Sequence, residues 1–96
     1  MINHLGQKIR DLREKQNLLL RQVAAQLEVD TALMSKIERG ERNASKQQVI
    51  DIAKFLKADK GELLTLWMAD KIESSLIEEP KVAYEAMKIA NKNLKK

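Results

Sequence analysis

The chain has 96 residues, which is enough for one small domain, and its formal net charge is +4. Hydrophobic residues make up 44% of it and aromatic residues only 3%, so a core must be built mainly from aliphatic side chains. Cysteine is absent, which excludes disulfides and thiolate metal sites and fits a reducing cytoplasm. No apolar run reaches the roughly 20 residues of a membrane span, and the N-terminal stretch lacks the hydrophobic region of a signal peptide. The moderate positive charge suits a polyanionic partner without establishing one.

The first predicted helix is marked by apolar residues at helical spacing. Leu5, Ile9 and Leu12 recur at i, i+4 and i+7. Asn3 is a suitable N-cap, and Asn17 can adopt the left-handed conformation that ends a helix.

The second and third predicted helices are short and lie close together in the chain. The second spans about residues 20–27, and its N-cap position, Leu19, has no capping side chain, although Gln22 can reach back to the Leu19 backbone. The third begins after Asp30, a good N-cap, and ends at Gly40, a good residue for the left-handed position after a helix. Only a tight turn separates these two helices.

Two capping-box patterns predict further helices. Ser45 and Gln48 open the fourth, and Asp59 and Glu62 open the fifth, which we expect to run through the region of Trp67. Residues 70–96 differ in composition: an acidic stretch leads to Pro80, which breaks or restarts the helix, and a basic helical stretch follows. No segment is predicted to be a strand. This tail has three possible fates: packing on the domain, meeting a partner chain, or fraying.

Two short helices joined by a tight turn, the second capped at both ends, are typical of a helix-turn-helix. In that motif the second helix enters the major groove of DNA, where short side chains permit close approach and cations meet bases and phosphates. Ala32 and Ser35 are short, and Lys36 is a candidate donor to guanine. Arg39, Arg42 and Lys46 lie at or beyond the helix end, where the DNA backbone would pass.

The competing interpretation is an ordinary amphipathic helix whose outer face is merely solvated. For an isolated helix this interpretation would be favoured. The tight turn, the order of five helices and the basic cluster after Gly40 favour DNA binding instead.

The stretch "LREKQNLLLRQVAAQLEVDTALMSKIERGERNAS" resembles the Cro/phage-repressor-type (XRE) helix-turn-helix family, and the resemblance covers roughly residues 5–67. Its most specific part is "MSKIERGER". The resemblance implies that Arg13 on the first helix pairs with Glu38, which makes Glu38 a structural residue and not a reader of DNA. It implies the core and helix-crossing positions Ala24, Val29, Met34 and Ile37. It also implies that the residues facing base edges are Thr31, Ala32, Ser35 and Lys36.

The chain departs from the family pattern at two positions. Where the family often has a phosphate-binding Gln at the start of the second helix, this chain has Leu20, so Arg21 is the candidate substitute. Where the family usually has Gly in the turn, this chain has Glu28, and a left-handed Glu costs about 1 kcal/mol.

We therefore predict an all-α protein: a five-helix repressor-like helix-turn-helix domain over residues 1–69 and a helical C-terminal extension over residues 70–96 that is a candidate for dimerisation. The predicted function is a sequence-specific double-stranded DNA-binding transcriptional regulator, acting by occupying a palindromic operator as a homodimer. The predicted contacts to the DNA backbone come from Arg21, Arg39, Arg42, Asn43 and Lys46.

The main alternative is a protein-interaction module, for example an antitoxin that neutralises a partner protein. An enzyme is not expected, because no catalytic set, metal-ligand spacing or phosphate-binding loop is visible. His4 is the only histidine and lies close to the beginning of the sequence, and Glu78 and Glu79 are adjacent, so their carboxylates would not converge on a helix. Trp67 is interpreted as a core residue in preference to a base-stacking one. No cofactor and no membrane are expected.

Overall fold

The computed structural model describes residues 3–94, which form six α-helices and no strand. Residues 1–2 of the predicted helix-turn-helix domain and residues 95–96 of the predicted extension lie outside these described residues. The helices are α1 (His4–Lys15), α2 (Leu20–Gln26), α3 (Thr31–Glu38), α4 (Lys46–Phe55), α5 (Lys60–Glu78) and α6 (Pro80–Leu94). The all-α prediction is confirmed. The described residues form six helices where the predicted domain has five, because the C-terminal stretch forms a separate helix that begins at Pro80.

Local capping explains where most helices begin. The side chain of Asn3 accepts a hydrogen bond from the backbone N–H of Gly6 at 2.8 Å, and Asp30 accepts one from Leu33 at 2.7 Å. Ser45 and Gln48 form the predicted reciprocal box, with bonds of 3.1 and 2.9 Å.

Helix α2 begins with half of such a box. The Gln22 side chain accepts from the backbone N–H of Leu19 at 2.6 Å, as expected, while Leu19 has no side-chain acceptor to offer in return.

The second predicted capping box, at the start of α5, is wrong in one partner. Asp59 does cap the helix, but its carboxylate accepts from the backbone N–H of Gly61 at 3.2 Å. Glu62 instead reaches across to Lys8 on α1, where the charged atoms lie 3.0 Å apart. Lys8 on the neighbouring helix therefore takes the place of the expected backbone N–H as the partner of the Glu62 carboxylate.

Helices α1 to α4 all end in the same way, with a left-handed residue followed by a backbone hydrogen bond back into the last turn. The left-handed residues are Asn17, Glu28, Gly40 and Lys57, with φ values of 56°, 58°, 75° and 58°. The bonds that close the motif run from Leu18 to Arg13, Val29 to Ala24, Glu41 to Lys36 and Ala58 to Ala53, at 2.8–3.0 Å. Each such bond satisfies a carbonyl that the helix would otherwise leave unpaired, which offsets the strain at the three non-glycine residues.

The core lies between α1 to α4 and the first half of α5. Its buried side chains include Leu5, Ile9, Val23, Met34, Ile37, Val49, Ile52, Leu56 and Leu63. Close packing of α1 against α3 depends on Gly6, because a Cβ atom there would overlap the backbone carbonyl oxygen of Glu38. The side chain of Trp67 packs against this core, as predicted, and its Nε1 donates to the Ala44 carbonyl at 2.8 Å.

Helix α5 is continuous through the position where the extension was predicted to begin, residue 70, and ends at Glu78. Pro80 then starts α6. Among residues 3–94, α5 is the helix against which α6 packs, and Ala83 is the one buried residue of α6. The exposed large apolar residues on these two helices are Met68, Ile72, Ile77, Val82, Tyr84, Met87, Ile89 and Leu94. None of the helices within residues 3–94 has the length and apolar character needed to cross a membrane.

A contact between α5 and the start of α1 was not predicted. The two carboxylate oxygens of Asp70 accept from the backbone N–H groups of His4 and Leu5 at 2.9 and 3.0 Å. Asp70 therefore caps α1 from a distant part of the chain and ties the middle of α5 to the helix-turn-helix core.

Candidate nucleic-acid interface

Helices α2 and α3 and the turn between them form one packed unit. Ala24 is buried where the two helices approach each other, and its small side chain permits that approach. The turn is fixed by the left-handed Glu28, which was expected from the sequence, and by the hydrogen bond from Val29 to Ala24 at 3.0 Å. The orientation of α3 is thus set by its neighbours.

The expected ion pair between α1 and α3 is present. Arg13 donates to both carboxylate oxygens of Glu38, from Nε at 2.7 Å and from Nη2 at 3.1 Å, and its Nη1 donates to the Leu18 carbonyl at 2.9 Å. The two side chains are only 14% and 6% exposed. The hydrogen bond that Arg13 donates to Glu38 raises the pKa of Arg13 above its ordinary value, so the pair favours the charged guanidinium.

The side of α3 opposite the core is where the predicted base-reading residues lie. Met34, Ile37 and Glu38 are buried on one side. Thr31, Ala32 and Lys36 are exposed, and Ser35 is partly exposed. This surface therefore combines short side chains with the Lys36 cation.

The polar residues predicted to contact a DNA backbone are all exposed. Arg21 lies in the first turn of α2, Arg42 and Asn43 lie in the segment between α3 and α4, and Lys46 is the first residue of α4. They therefore come from three different parts of the chain near α3.

Arg39, the fifth of these predicted residues, makes contacts that the sequence did not reveal. Its Nε donates to the Glu41 carboxylate at 2.6 Å and its Nη1 donates to the hydroxyl of Ser35 at 2.9 Å. Sequence reasoning overlooked Glu41. The available signal was its position two residues after an arginine, within an otherwise basic segment.

A model of the family described as "Helix-turn-helix domain" matches residues 4–67 of this chain. The chain belongs to this helix-turn-helix family. The match covers α1 to α4 and the first part of α5, which is the region that packs around the α2–α3 unit.

Two solved structures resemble this helix-turn-helix protein. A crystal structure titled as the clp gene regulator ClgR from Corynebacterium glutamicum is 25% identical, with a TM-score of 0.59 over 68% of this chain and 84% of that one. A second structure with the same description is 20% identical, with a TM-score of 0.61 over 85% of this chain and 88% of that one. A comparison with curated protein sequences gave no match.

Among residues 3–94, one cluster has metal-ligand chemistry, and it lies at the junction of α1 and α5. One ligand atom from each of His4, Asp70 and Glu73 lies within 4.8 Å of the others. Each group already has a protein partner: Asp70 caps α1, and the His4 Nε2 lies 2.6 Å from the Glu73 carboxylate. No role was predicted for His4 from the sequence. It is the first residue of α1, and it contacts Asp70 and Glu73 of α5, which follow it by 66 and 69 positions in the chain.

Proposed function

We propose that this protein is a sequence-specific double-stranded DNA-binding transcriptional regulator that acts by occupying an operator. The observation that carries the proposal is the face of α3 opposite the core, where Ala32, Ser35 and Lys36 combine short side chains with a cation. Membership of the helix-turn-helix family supports it, as does the resemblance to a solved structure described as a gene regulator.

In this proposal α3 is the recognition helix, the helix that enters the major groove. Close approach of a helix to base edges requires that its outward side chains be short or able to extend along the groove. The methyl group of Ala32 would contact a thymine methyl, the hydroxyls of Thr31 and Ser35 would accept or donate hydrogen bonds, and Lys36 would donate to guanine.

The exposed polar residues around the recognition helix would hold the DNA backbone. Arg21, Arg42, Asn43 and Lys46 can donate to phosphate oxygens, which fixes the register of the helix without reading sequence. Arg21 would take the place of the glutamine that is common in related proteins at the neighbouring position, Leu20.

Regulation by occupancy requires no chemical step, so we propose that the protein is not an enzyme. Binding blocks or recruits polymerase according to where the operator lies. We place this activity in the cytoplasm.

The operator is proposed to be palindromic and read by a homodimer. One recognition helix covers about half a turn of DNA, whereas two-fold pairing places two of them roughly 34 Å apart in successive major grooves. The surface proposed for pairing is the apolar groove between α5 and α6, whose lining includes Ile72, Tyr84, Met87 and Leu94. Because α6 buries only Ala83 against its own chain, a second copy would cover apolar surface that this chain leaves in water.

The proposal is tested by selecting bound sequences from a pool of random DNA duplexes with the purified 96-residue chain. We expect enrichment of a short sequence with two-fold symmetry and half-sites about one helical turn apart. Enrichment of a single half-site would contradict the homodimer, and no enrichment at all would contradict sequence-specific binding.

The alternative function, a protein-interaction module such as an antitoxin, is favoured by one observation: the same apolar groove of α5 and α6 would suit a different protein. A salt titration distinguishes the two functions. Binding to DNA should weaken steeply as salt rises, because each phosphate contact releases a counterion, whereas an apolar protein interface should be far less sensitive.

A further inference from the structure

The guanidinium of Arg39 is held in place although the side chain is 53% exposed. It donates to Glu41 from Nε and to Ser35 from Nη1. Ser35 lies one helical turn before Arg39, on the outward side of α3 together with Ala32. The guanidinium therefore folds back over the outward face of the helix, and does not extend beyond its C-terminal end.

Three donors of Arg39 have no hydrogen-bond partner among residues 3–94. A guanidinium has five N–H groups, of which these two contacts use one on Nε and one on Nη1. The remaining three are on the two terminal nitrogens. When the Ser35 hydroxyl accepts the Nη1 hydrogen on the Cδ side, the other Nη1 hydrogen and one on Nη2 form a parallel pair, and in the major groove guanine O6 and N7 present two such adjacent acceptors.

The backbone fixes the position of Glu41, the second partner. Gly40 turns the chain with a φ of 75°, and the Glu41 N–H donates to the Lys36 carbonyl at 2.9 Å. A free carboxylate next to DNA would be repelled by the phosphates. A carboxylate paired with Arg39 is neutralised, and it also reduces the conformational entropy that the arginine would lose on binding.

We infer that Arg39 reads a guanine base at the end of the recognition helix and that Glu41 is a positioning residue that holds it there with Ser35. This inference rests on the proposed DNA-binding function and changes the role of Arg39 from the backbone contact expected from the sequence. It adds one base pair to those read by Thr31, Ala32, Ser35 and Lys36.

The first test compares Arg39→Lys with Arg42→Lys in the 96-residue chain. Both substitutions keep the charge and remove the planar fork that permits a bidentate contact. Affinity is measured at one salt concentration for the duplex selected by the wild type and for a random duplex of the same length. Arg39→Lys should lower the ratio of the two affinities by about tenfold or more, with the loss at one G·C pair, while Arg42→Lys leaves the ratio unchanged.

The second test uses Glu41→Gln, which removes a negative charge near the DNA. If Glu41 positions Arg39, this variant should lower the same affinity ratio while its affinity for the random duplex stays constant or rises. Adding Glu41→Gln to Arg39→Lys should then change the ratio little further, because the two residues act as one unit.

Circular dichroism melts of all variants show whether each is folded before its binding is interpreted. Equal losses on both duplexes for Arg39→Lys would make Arg39 a phosphate contact and overturn the inference. A ratio unaffected by Glu41→Gln would remove the positioning role. If the wild type selects no sequence, the proposed function itself fails, which is a different result from a selected sequence that Arg39→Lys still recognises.

Discussion

Glu38 is the only charged side chain that is almost fully enclosed among residues 3–94, and it lies within the basic region that would face DNA. Its contacts explain this placement, because Arg13 satisfies both of its oxygens. A carboxylate at this position thus joins two helices and does not oppose a polyanion.

Removing the charge of Glu38 should destabilise the fold. In Glu38→Gln the guanidinium of Arg13 stays buried without a counter-charge, and breaking a buried pair in this way costs about 3–5 kcal/mol. Urea denaturation gives the free energy of unfolding. Glu14→Gln is the matched control, because Glu14 pairs with Arg10 on the surface at 3.6 Å and its loss should cost under about 1 kcal/mol. Equal midpoints for the two variants would show that burial of the pair adds nothing.

A methyl group at Gly6 should also destabilise the fold. The obstacle is the backbone oxygen of Glu38, which cannot move like the end of a flexible side chain. We expect Gly6→Ala to cost about 1–3 kcal/mol in thermal or urea unfolding despite the better helix propensity of alanine. Gly61→Ala is the control, since the nearest atoms there are 3.6 Å away and belong to the Asp59 side chain. A Gly6→Ala protein as stable as the wild type would mean that α1 and α3 can separate without loss.

The pKa of His4 should depend on its contact with Glu73. The hydrogen bond and the charge of Glu73 raise the pKa of His4 above its ordinary value. A raised pKa in the folded state means that the contact stabilises the fold fully below about pH 6.5 and that this contribution is lost as pH rises through the raised value. An NMR titration measures this directly, because His4 is the only histidine. Glu73→Gln should lower the pKa of His4, while Glu62→Gln, which removes a different contact between α1 and α5, should not. Identical titrations in all three proteins would contradict the contact.

At the scale of the element, the two faces of α3 differ: one packs in the core and the other is exposed. Met34 and Ile37 anchor it in the core, and Asp30 and Gly40 fix its ends. A helix of eight residues would not be stable alone in water, so its direction depends on the packing of α1 and α2 against it.

Lys36 on the outward face of α3 should contribute to sequence preference. Lys36→Ala is expected to cost about 1–3 kcal/mol on the selected duplex and to relax preference at one base pair. Arg42→Ala is the contrast: it should weaken binding to all duplexes and lower the salt slope by about one. If Lys36→Ala reduces affinity equally for selected and random DNA, Lys36 contacts phosphate.

At the scale of the whole molecule, α5 connects the DNA-binding part to the apolar surface of the tail. Asp70 and Glu62 hold it to α1, and its C-terminal half carries α6. Helix α5 is therefore linked to α1, and α1 in turn holds α3 through Arg13.

The proposed dimer should depend on the groove between α5 and α6. Met87→Glu places a charge in the groove, and Ile77→Glu places one at a residue that is 81% exposed and absent from its lining. Mass in solution, measured by sedimentation, should show Met87→Glu as a monomer that has lost preference for a palindrome over a half-site. Ile77→Glu should behave as the wild type. A Met87→Glu protein that remains a dimer would place the pairing surface elsewhere.

The sequence alone determined the helical class, the positions of most helices and the outward residues of α3. The signals are local: apolar residues at helical spacing, caps at Asn3, Asp30 and Ser45, and stops at Asn17 and Gly40. They can be recognised in the sequence because the capping hydrogen bonds join residues close together in the chain. The pair of Arg13 and Glu38 was predicted only through a family resemblance, since no local rule joins residues 25 positions apart.

Only the tertiary structure decided the contacts that depend on which helices become neighbours. Glu62 was expected to cap its own helix and bonds Lys8 instead, and Asp70 caps a helix that begins 66 residues earlier. Arg39 lies over Ser35 because Glu41 is brought beside it by the turn at Gly40. The free energy of each possible contact determines which partner a side chain takes. A partner that is distant in the chain can compete only after the fold has brought it within reach.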